Sequence, residues 1–477
     1  MQSSHAKIEA PASAGAANGM TNVATAERLN GQAVLALKAR DNTTNWINLA
    51  AVWSLIAATI GMSLWLESHI LASGRSLWWL APVFIISAII TGASQHQLGG
   101  VIHEGTHFLL FENKKLNELA SDWLGAFPIY TSTYQYRVHH LAHHQFVNDP
   151  DRDPDISQLK DSEHWLDFPV AHIDIVKKLA EQLWLPNLVR FTLVRARYSA
   201  VGHDENPYVD KSEVRSKLPL VAGIYFAAVV PFIISALMKS TSAAIAWTAL
   251  IGSYVAVIGY FALLPENQFP QTRLLPVISH RATAIGRMTY FFVLYGAFAA
   301  YDSANAGNGT AFAFDHYGYY WAIPLFTTFP LYMMIRQWVQ HGNADRGRYT
   351  NTRVFLANPF VRYAIFPWGM DYHLPHHMMA SVPHYRLKAL HALLLNDPKY
   401  AEGAVEVEGV LGHRDSDVRS GVEGGRVARP NILDVLGPAY APKSRAQVHV
   451  DNATLEYADV KDRAAITREA DASARAS

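Results

Sequence analysis

The sequence predicts an all-α integral membrane protein with about four to six transmembrane helices and a cytoplasmic helical cap holding a histidine-ligated metal centre. Three observations predict it. First, charge is bimodal. Only 17% of the 477 residues are Asp, Glu, Lys or Arg, against roughly 25% in soluble domains, and the stretches 46–101, 218–264 and 288–335 together hold only Glu67, Arg75, Lys239, Asp302 and Asp315. Second, those stretches contain apolar runs of membrane-crossing length. Third, the chain has 22 histidines, thirteen of them in the windows 96–144 and 341–391.

Composition excludes several classes. Formal net charge is zero and no basic run interleaves with aromatics, so nucleic acid is not a partner. With no cysteine, disulfides, thiolate metal sites, iron–sulfur clusters and thiol nucleophiles are all ruled out. Any metal is held by nitrogen or oxygen.

Along the chain, residues 1–25 are small and polar without the apolar core of a secretory signal peptide. Residues 26–40 space Leu29, Ala33, Leu35 and Leu37 as a short amphipathic helix. Residues 1–41 are therefore read as a disordered and amphipathic N-terminal segment. A helix needs about 20 residues, at about 1.5 Å each, to cross a hydrocarbon core of about 30 Å. The apolar runs place six spans near 46–67, 77–98, 218–238, 242–264, 288–304 and 317–338, the last two rich in Tyr, Gly and Phe. Lipid demands that their backbone groups be satisfied internally, so the spans are α-helical. Residues 102–217 carry thirteen Lys and Arg and residues 265–287 carry Arg273, Arg281 and Arg287, while the opposite turns offer Arg75 and Lys239. This bias puts both histidine windows on the cytoplasmic side. The membrane domain is taken as 42–400, and 401–477 as a polar, disordered tail.

The histidines recur at helical spacing. His103 and His107 lie four apart, on one helical face and about a turn apart, the arrangement needed to grip one metal. His140, His143 and His144 share one face, with His139 just off it, and His373, His376 and His377 repeat the pattern. Neutral imidazole is the commonest metal ligand, and three such clusters on one side of a membrane point to a shared metal centre. Residues 103–107 taken alone also read H-E-x-x-H, in which Glu104 would be the general base of an intramembrane zinc protease. That reading leaves the other histidines unexplained.

The strings HEGTH (103–107), HLAHH (140–144) and HLPHH (373–377), with VNDPDRDPD at 147–155 and SVPHYRLKALH at 381–391, resemble the membrane fatty acid desaturases over residues 42–395. The resemblance implies a non-haem centre of two iron ions ligated by His103, His107, His140, His143, His144, His373, His376 and His377. A ninth ligand, His341, is implied by the string Arg336 to Gly342, where Gln340 stands in place of the family's glutamate. Asp371 and Pro375 are further departures, and His139 replaces His140 if the register slips by one. His96, His384 and His391 are read as packing residues, and the alternating Asp149, Asp151, Asp153 and Asp155 as a solvated loop capping a helix. The stretch 172–198 reads as an amphipathic helix on the anionic leaflet.

Removing hydrogen from an unactivated methylene is beyond acid–base chemistry near neutral pH and needs oxygen activated on a redox metal. The resemblance therefore implies an O2-dependent desaturase that puts a double bond into the acyl chain of a lipid or acyl thioester. The alternative is a related di-iron hydroxylase or ketolase acting on a lipid or carotenoid. The chain has no haem-binding signature and no cysteine cluster, so a ferredoxin or cytochrome b5 type donor must deliver electrons. A metal transporter would want ionisable groups inside the spans, which hold almost none.

Overall fold

The computed structural model describes residues 32–201, 206, 208–209, 217–269, 272–305, 313–409, 429–438 and 440. Helix α1 (32–37) is the described part of the expected amphipathic stretch. Its Val34 and Leu37 pack on the protein, and the Ala36 carbonyl accepts from Arg386 at 2.7 Å. The Asp41 carboxylate then accepts the N–H groups of Thr43 and Thr44, at 3.0 and 2.9 Å, and so opens α2 (Thr44–Ala72). After one turn at Leu77–Trp79, α3 (Leu80–Thr106) returns along α2.

Among the described residues four helices are long and apolar enough to cross a membrane: Thr44–Ala72, Leu77–Thr106, Leu218–Ser240 and Ala243–Leu263. Their outward faces are apolar, with Trp65, Ile85, Ile86, Phe232 and Val255 exposed, as lipid contact requires. Trp78 and Trp79 are exposed at the turn, where an aromatic belt sits. Glu67, the one carboxylate within α2, accepts the Tyr320 hydroxyl at 2.8 Å.

The two remaining expected spans are helical but differ. Stretch 288–304 lies within a later helix, His280–Asn305, whose Phe291, Tyr295 and Ala299 pack into a shared core with Leu218–Ser240 and Ala243–Leu263. Stretch 317–338 is broken. A π-turn at Gly318–Ala322 leads into Ile323–Phe326, Thr327 leaves the helical region, and a new helix runs Thr328–His341. Pro324 and Pro330 remove the backbone donors a continuous helix would need.

On the side where α3 ends, short helices form the cap: α4 (Lys114–Ser121), α5 (Thr133–Gln145), α6 (Pro154–Asp161), α7 (His172–Gln182) and α8 (Leu185–Ala196). The chain then passes through α9 (Leu218–Ile224), α10 (Val230–Ser240), α11 (Ala243–Leu263), α12 (His280–Asn305), α13 (Ala313–Tyr317), α14 (Ile323–Phe326) and α15 (Thr328–His341). It returns to the cap with β1 (Val354–Leu356), α16 (Pro359–Ile365), α17 (His373–Met378), α18 (Leu387–Leu394), α19 (Pro398–Gly403), β2 (Glu406–Glu408) and α20 (Ile432–Leu436). Leu183, Trp184, Leu185 and Leu193, in and just before α8, are exposed, consistent with a helix lying on lipid.

Part of the segment expected as a polar tail is folded. β2 pairs parallel to β1, with Val354 opposite Glu406 and Leu356 opposite Glu408. α20 docks Val435 and Leu436 into a core with Phe355, Phe366 and Val407. Each such side chain contributes about 1.5–3 kcal/mol on burial, which outweighs the polar composition around it. Asn343 fastens this segment by donating to the carbonyls of Val435, Gly437 and Tyr440. The rest of that segment, 410–428, 439 and 441–477, and the N-terminal residues 1–31 lie outside the described residues.

Two close approaches fix α3 against its neighbours, one in α15 and one in the cap. At Gly92 an added Cβ would collide with Thr328 at the start of α15, and at Gly105 with Ser121 of α4. Only glycine lets these elements meet.

Candidate metal centre

Four segments bring their histidines to one place. The C-terminal end of α3 supplies His103 and His107, α5 supplies His140, His143 and His144, the end of α15 supplies His341, and α17 supplies His373, His376 and His377. Buried polar contacts set these ends. Arg137 of α5 binds Glu118 of α4 through both terminal nitrogens, at 3.1 and 2.7 Å, and donates to the carbonyls of Thr106 and Gly105. One guanidinium thereby caps the last turn of α3 and ties it to α5. Asp149 pairs with Arg152 and with Arg346, at 2.6 and 2.7 Å, joining the loop after α5 to the turn after α15.

All nine predicted residues converge, in two groups: His103, His107, His140, His144 and His376 in one, His143, His341, His373 and His377 in the other. Within each group every offered donor atom lies within 4.8 Å of the others. The groups adjoin, since the rings of His144 and His377 stack at 4.4 Å.

The Nε2 atoms form chains: His107 to His140, His140 to His144 and His144 to His376 at 3.0 Å each, and His373 to His341 and His377 at 3.0 and 3.1 Å. A ring nitrogen carries either one hydrogen or one lone pair. Thus Nε2 of His140, His144 or His373 cannot make a full hydrogen bond to both neighbours. Metal ions held by these nitrogens would resolve the conflict, because each ring would then present a lone pair to an ion and need no hydrogen-bond partner there. His103 adds a further sign, both its buried ring nitrogens lacking a hydrogen-bond partner. The donor set fits metal ions with nitrogen ligation.

Electrostatics agree. Burial holds the imidazoles of His107, His140, His341, His373, His376 and His377 below their ordinary range, so they stay neutral and keep lone pairs available. His143 is the exception. Burial pushes it down, but the carboxylates of Asp153 and Asp155 outweigh this and raise it.

The other sequence-level candidates fall elsewhere. His139 turns out of both groups and binds Asp155 at 2.7 Å. His96 bonds the Ala364 carbonyl at 2.8 Å, His384 the side chain of Asn45 at 2.9 Å, and His391 Tyr400 and Glu406 at 2.7 and 2.9 Å. Gln340 donates to the Met370 carbonyl at 2.8 Å, and Asp371 pairs with Arg362 at 2.9 Å. Glu104 accepts the backbone N–H of His384 at 3.0 Å, and its other oxygen is 3.5 Å from His103 Nδ1.

Sequence reasoning missed the role of Asp153 and Asp155. Asp153 caps α6 as expected, accepting the N–H of Asp155 at 2.9 Å, but it also faces Nδ1 of His143. The available signal was an acidic repeat directly after the second histidine string.

Beside the histidines lies a mostly apolar cavity of about 970 Å³, between α3, α8, α10 and the broken segment from α13 to α15. Leu193, Phe232 and Ile323 line it and are exposed at its rim, so it opens sideways toward lipid. Its wall also holds Tyr136, His96, Arg195 and Arg336. The Tyr136 ring stacks on His140 at 5.4 Å.

A sequence model of the fatty acid desaturase family matches residues 76–284 and 266–406. A dihydrorhizobitoxine desaturase of Bradyrhizobium elkanii is 22% identical over 377 residues, 78% of this chain and 81% of its own. The Delta(5) fatty acid desaturase fat-4 of Caenorhabditis elegans is 38% identical over 108 residues, 23% of either chain.

Proposed function

The chain belongs to the fatty acid desaturase family, and from that premise we propose that it is an O2-dependent membrane desaturase whose nine converging histidines ligate two iron ions. The observation that carries this reading is the sorting of His103, His107, His140, His144 and His376 into one nitrogen group and of His143, His341, His373 and His377 into another. Five and four imidazoles are more than a structural zinc site takes. A zinc protease would need only His103, His107 and one more ligand.

Bound there, a pair of iron ions supplies the redox chemistry with O2 that an unactivated C–H bond requires. The chain's own residues do the rest. The buried imidazoles present neutral lone pairs, Asp153 fixes the ring of His143, and Arg137 and Glu118 hold the end of α3 against α5. The cavity of about 970 Å³ admits an apolar chain from the bilayer and excludes bulk water from the reacting carbons.

The substrate is an acyl chain, carried on a lipid or a thioester. The charge bias of the loops puts the histidines on the cytoplasmic side, where a ferredoxin or cytochrome b5 type protein delivers two electrons. Expression in a host without the unsaturated product, followed by lipid mass spectrometry, tests the reading. New lipids lighter by two hydrogens support it. Products heavier by one oxygen atom transfer the assignment to hydroxylation, and purified protein without iron removes the oxidative reading altogether.

A further inference from the structure

α3 carries two consecutive glycines with different surroundings. At Gly100 an added Cβ would collide with the Trp368 ring, so packing excludes any side chain there. At Gly99 the same atom would meet only Cδ2 of His96, at 3.9 Å, which is ordinary contact. Packing therefore does not require a glycine at this position, and in mid-helix it costs about 0.5–1 kcal/mol relative to alanine. Every residue of α3 from Thr91 to Thr106 is buried except Gly99. The space it leaves belongs to the cavity, whose wall includes Gly99 together with His96 and Ile102. Gly99 and His103 are four apart, one turn along the same face of the helix, and His103 belongs to the first nitrogen group. The gap thus opens at the histidine end of the cavity, where Tyr136 of the same wall stacks on His140.

We propose that Gly99 is the clearance through which the acyl chain reaches the histidines. The missing side chain leaves room for methylenes against α3, one turn from His103, and a larger residue at this position holds them away. A displacement of the reacting carbon by about 1 Å costs about a hundredfold in rate, so even a methyl group matters here. This rests on reading the cavity as the acyl site, and it deepens that reading by naming the residue that sets how closely the chain approaches. It holds for an acyl chain on a lipid or on a thioester, because Gly99 meets the methylenes and not the carrier.

The test presents a hexadecanoyl chain with a mid-chain diazirine, as phosphatidylcholine and as a coenzyme A thioester, to the full chain in lipid nanodiscs. After photolysis the labelled residues are located by mass spectrometry, with iron content and thermal unfolding measured in parallel. One carrier or both should label the native chain within 96–103 and at the rim residues Leu193 and Phe232. Gly99→Leu should lower the labels at 96–103 about tenfold or more and keep those at the rim. Gly99→Ala should melt at or above the native temperature and hold native iron, yet lower the yield of unsaturated lipid about tenfold or more. A native yield from Gly99→Ala, or native labelling of 96–103 in Gly99→Leu, overturns the proposal and leaves the cavity reading standing. If neither carrier labels any cavity-lining residue of the native chain, the cavity is not the acyl site and both fall.

Discussion

The Nδ1 of His143 lies 2.9 Å from Oδ1 of Asp153 and 3.1 Å from its Oδ2, so a buried carboxylate grips an imidazole that burial alone does not keep low. The contact holds the ring within the group it forms with His341, His373 and His377. Carboxylates behind ligating histidines orient the ring and raise its basicity.

Asp153→Asn is therefore expected to leave the fold in place and weaken iron retention about tenfold to a hundredfold. Iron stoichiometry after dialysis against a graded chelator measures it. Retention equal to the native chain would show that Asp153 serves only to cap α6.

His139 and His140 are neighbours with opposite fates. His140→Ala opens a gap between His107 and His144, whose nitrogens both lie 3.0 Å from His140 Nε2. It should lose iron and all turnover. His139→Ala leaves Asp155 with Arg195 and His143 as partners, and should keep its iron. Metal analysis of the two purified variants decides, and matching losses would contradict the assignment.

How much of this was legible in sequence depended on chain distance. His103 with His107, and His373 with His376 and His377, were readable because helical spacing places them on one face. That His376 sits 3.0 Å from His144 lay beyond any local pattern. Asp153 and Asp155 were hidden because acidic residues between prolines read as a turn, and only the fold turns them back over α5. Val407, Val435 and Leu436 were hidden for a related reason: three apolar residues in polar surroundings show no periodicity until β1 and α16 provide the surface they cover. The stretch 317–338 misled because its apolar character suits a span, whereas Pro324 and Pro330 break it into pieces that wall the cavity.

Gly105 sits inside the first histidine string but acts through packing. Its carbonyl accepts from Asn117 at 2.9 Å and Arg137 at 3.0 Å, and a Cβ would strike Ser121. Gly105→Val should destabilise the chain by about 1–3 kcal/mol or more through overpacking. The last turn of α3 would move, and with it His103 and His107. Thermal unfolding in detergent, followed together with iron content, should show both falling. A variant with native melting and native iron would mean α4 yields freely.

Glu104 separates two chemistries that share the string at 103–107. In a zinc protease this carboxylate is the general base, and its loss removes catalysis. Here it is buried, with one oxygen accepting the His384 backbone N–H at 3.0 Å and the other 3.5 Å from His103 Nδ1. That is the position of a group that anchors the chain ahead of α18. A glutamine amide keeps an oxygen acceptor for His384, so Glu104→Gln should hold its iron and retain measurable desaturation, while His376→Ala, which leaves the string untouched, should abolish turnover. Lipid product analysis of the two variants side by side discriminates: complete inactivity of Glu104→Gln with full activity of His376→Ala would transfer the chain to the protease chemistry.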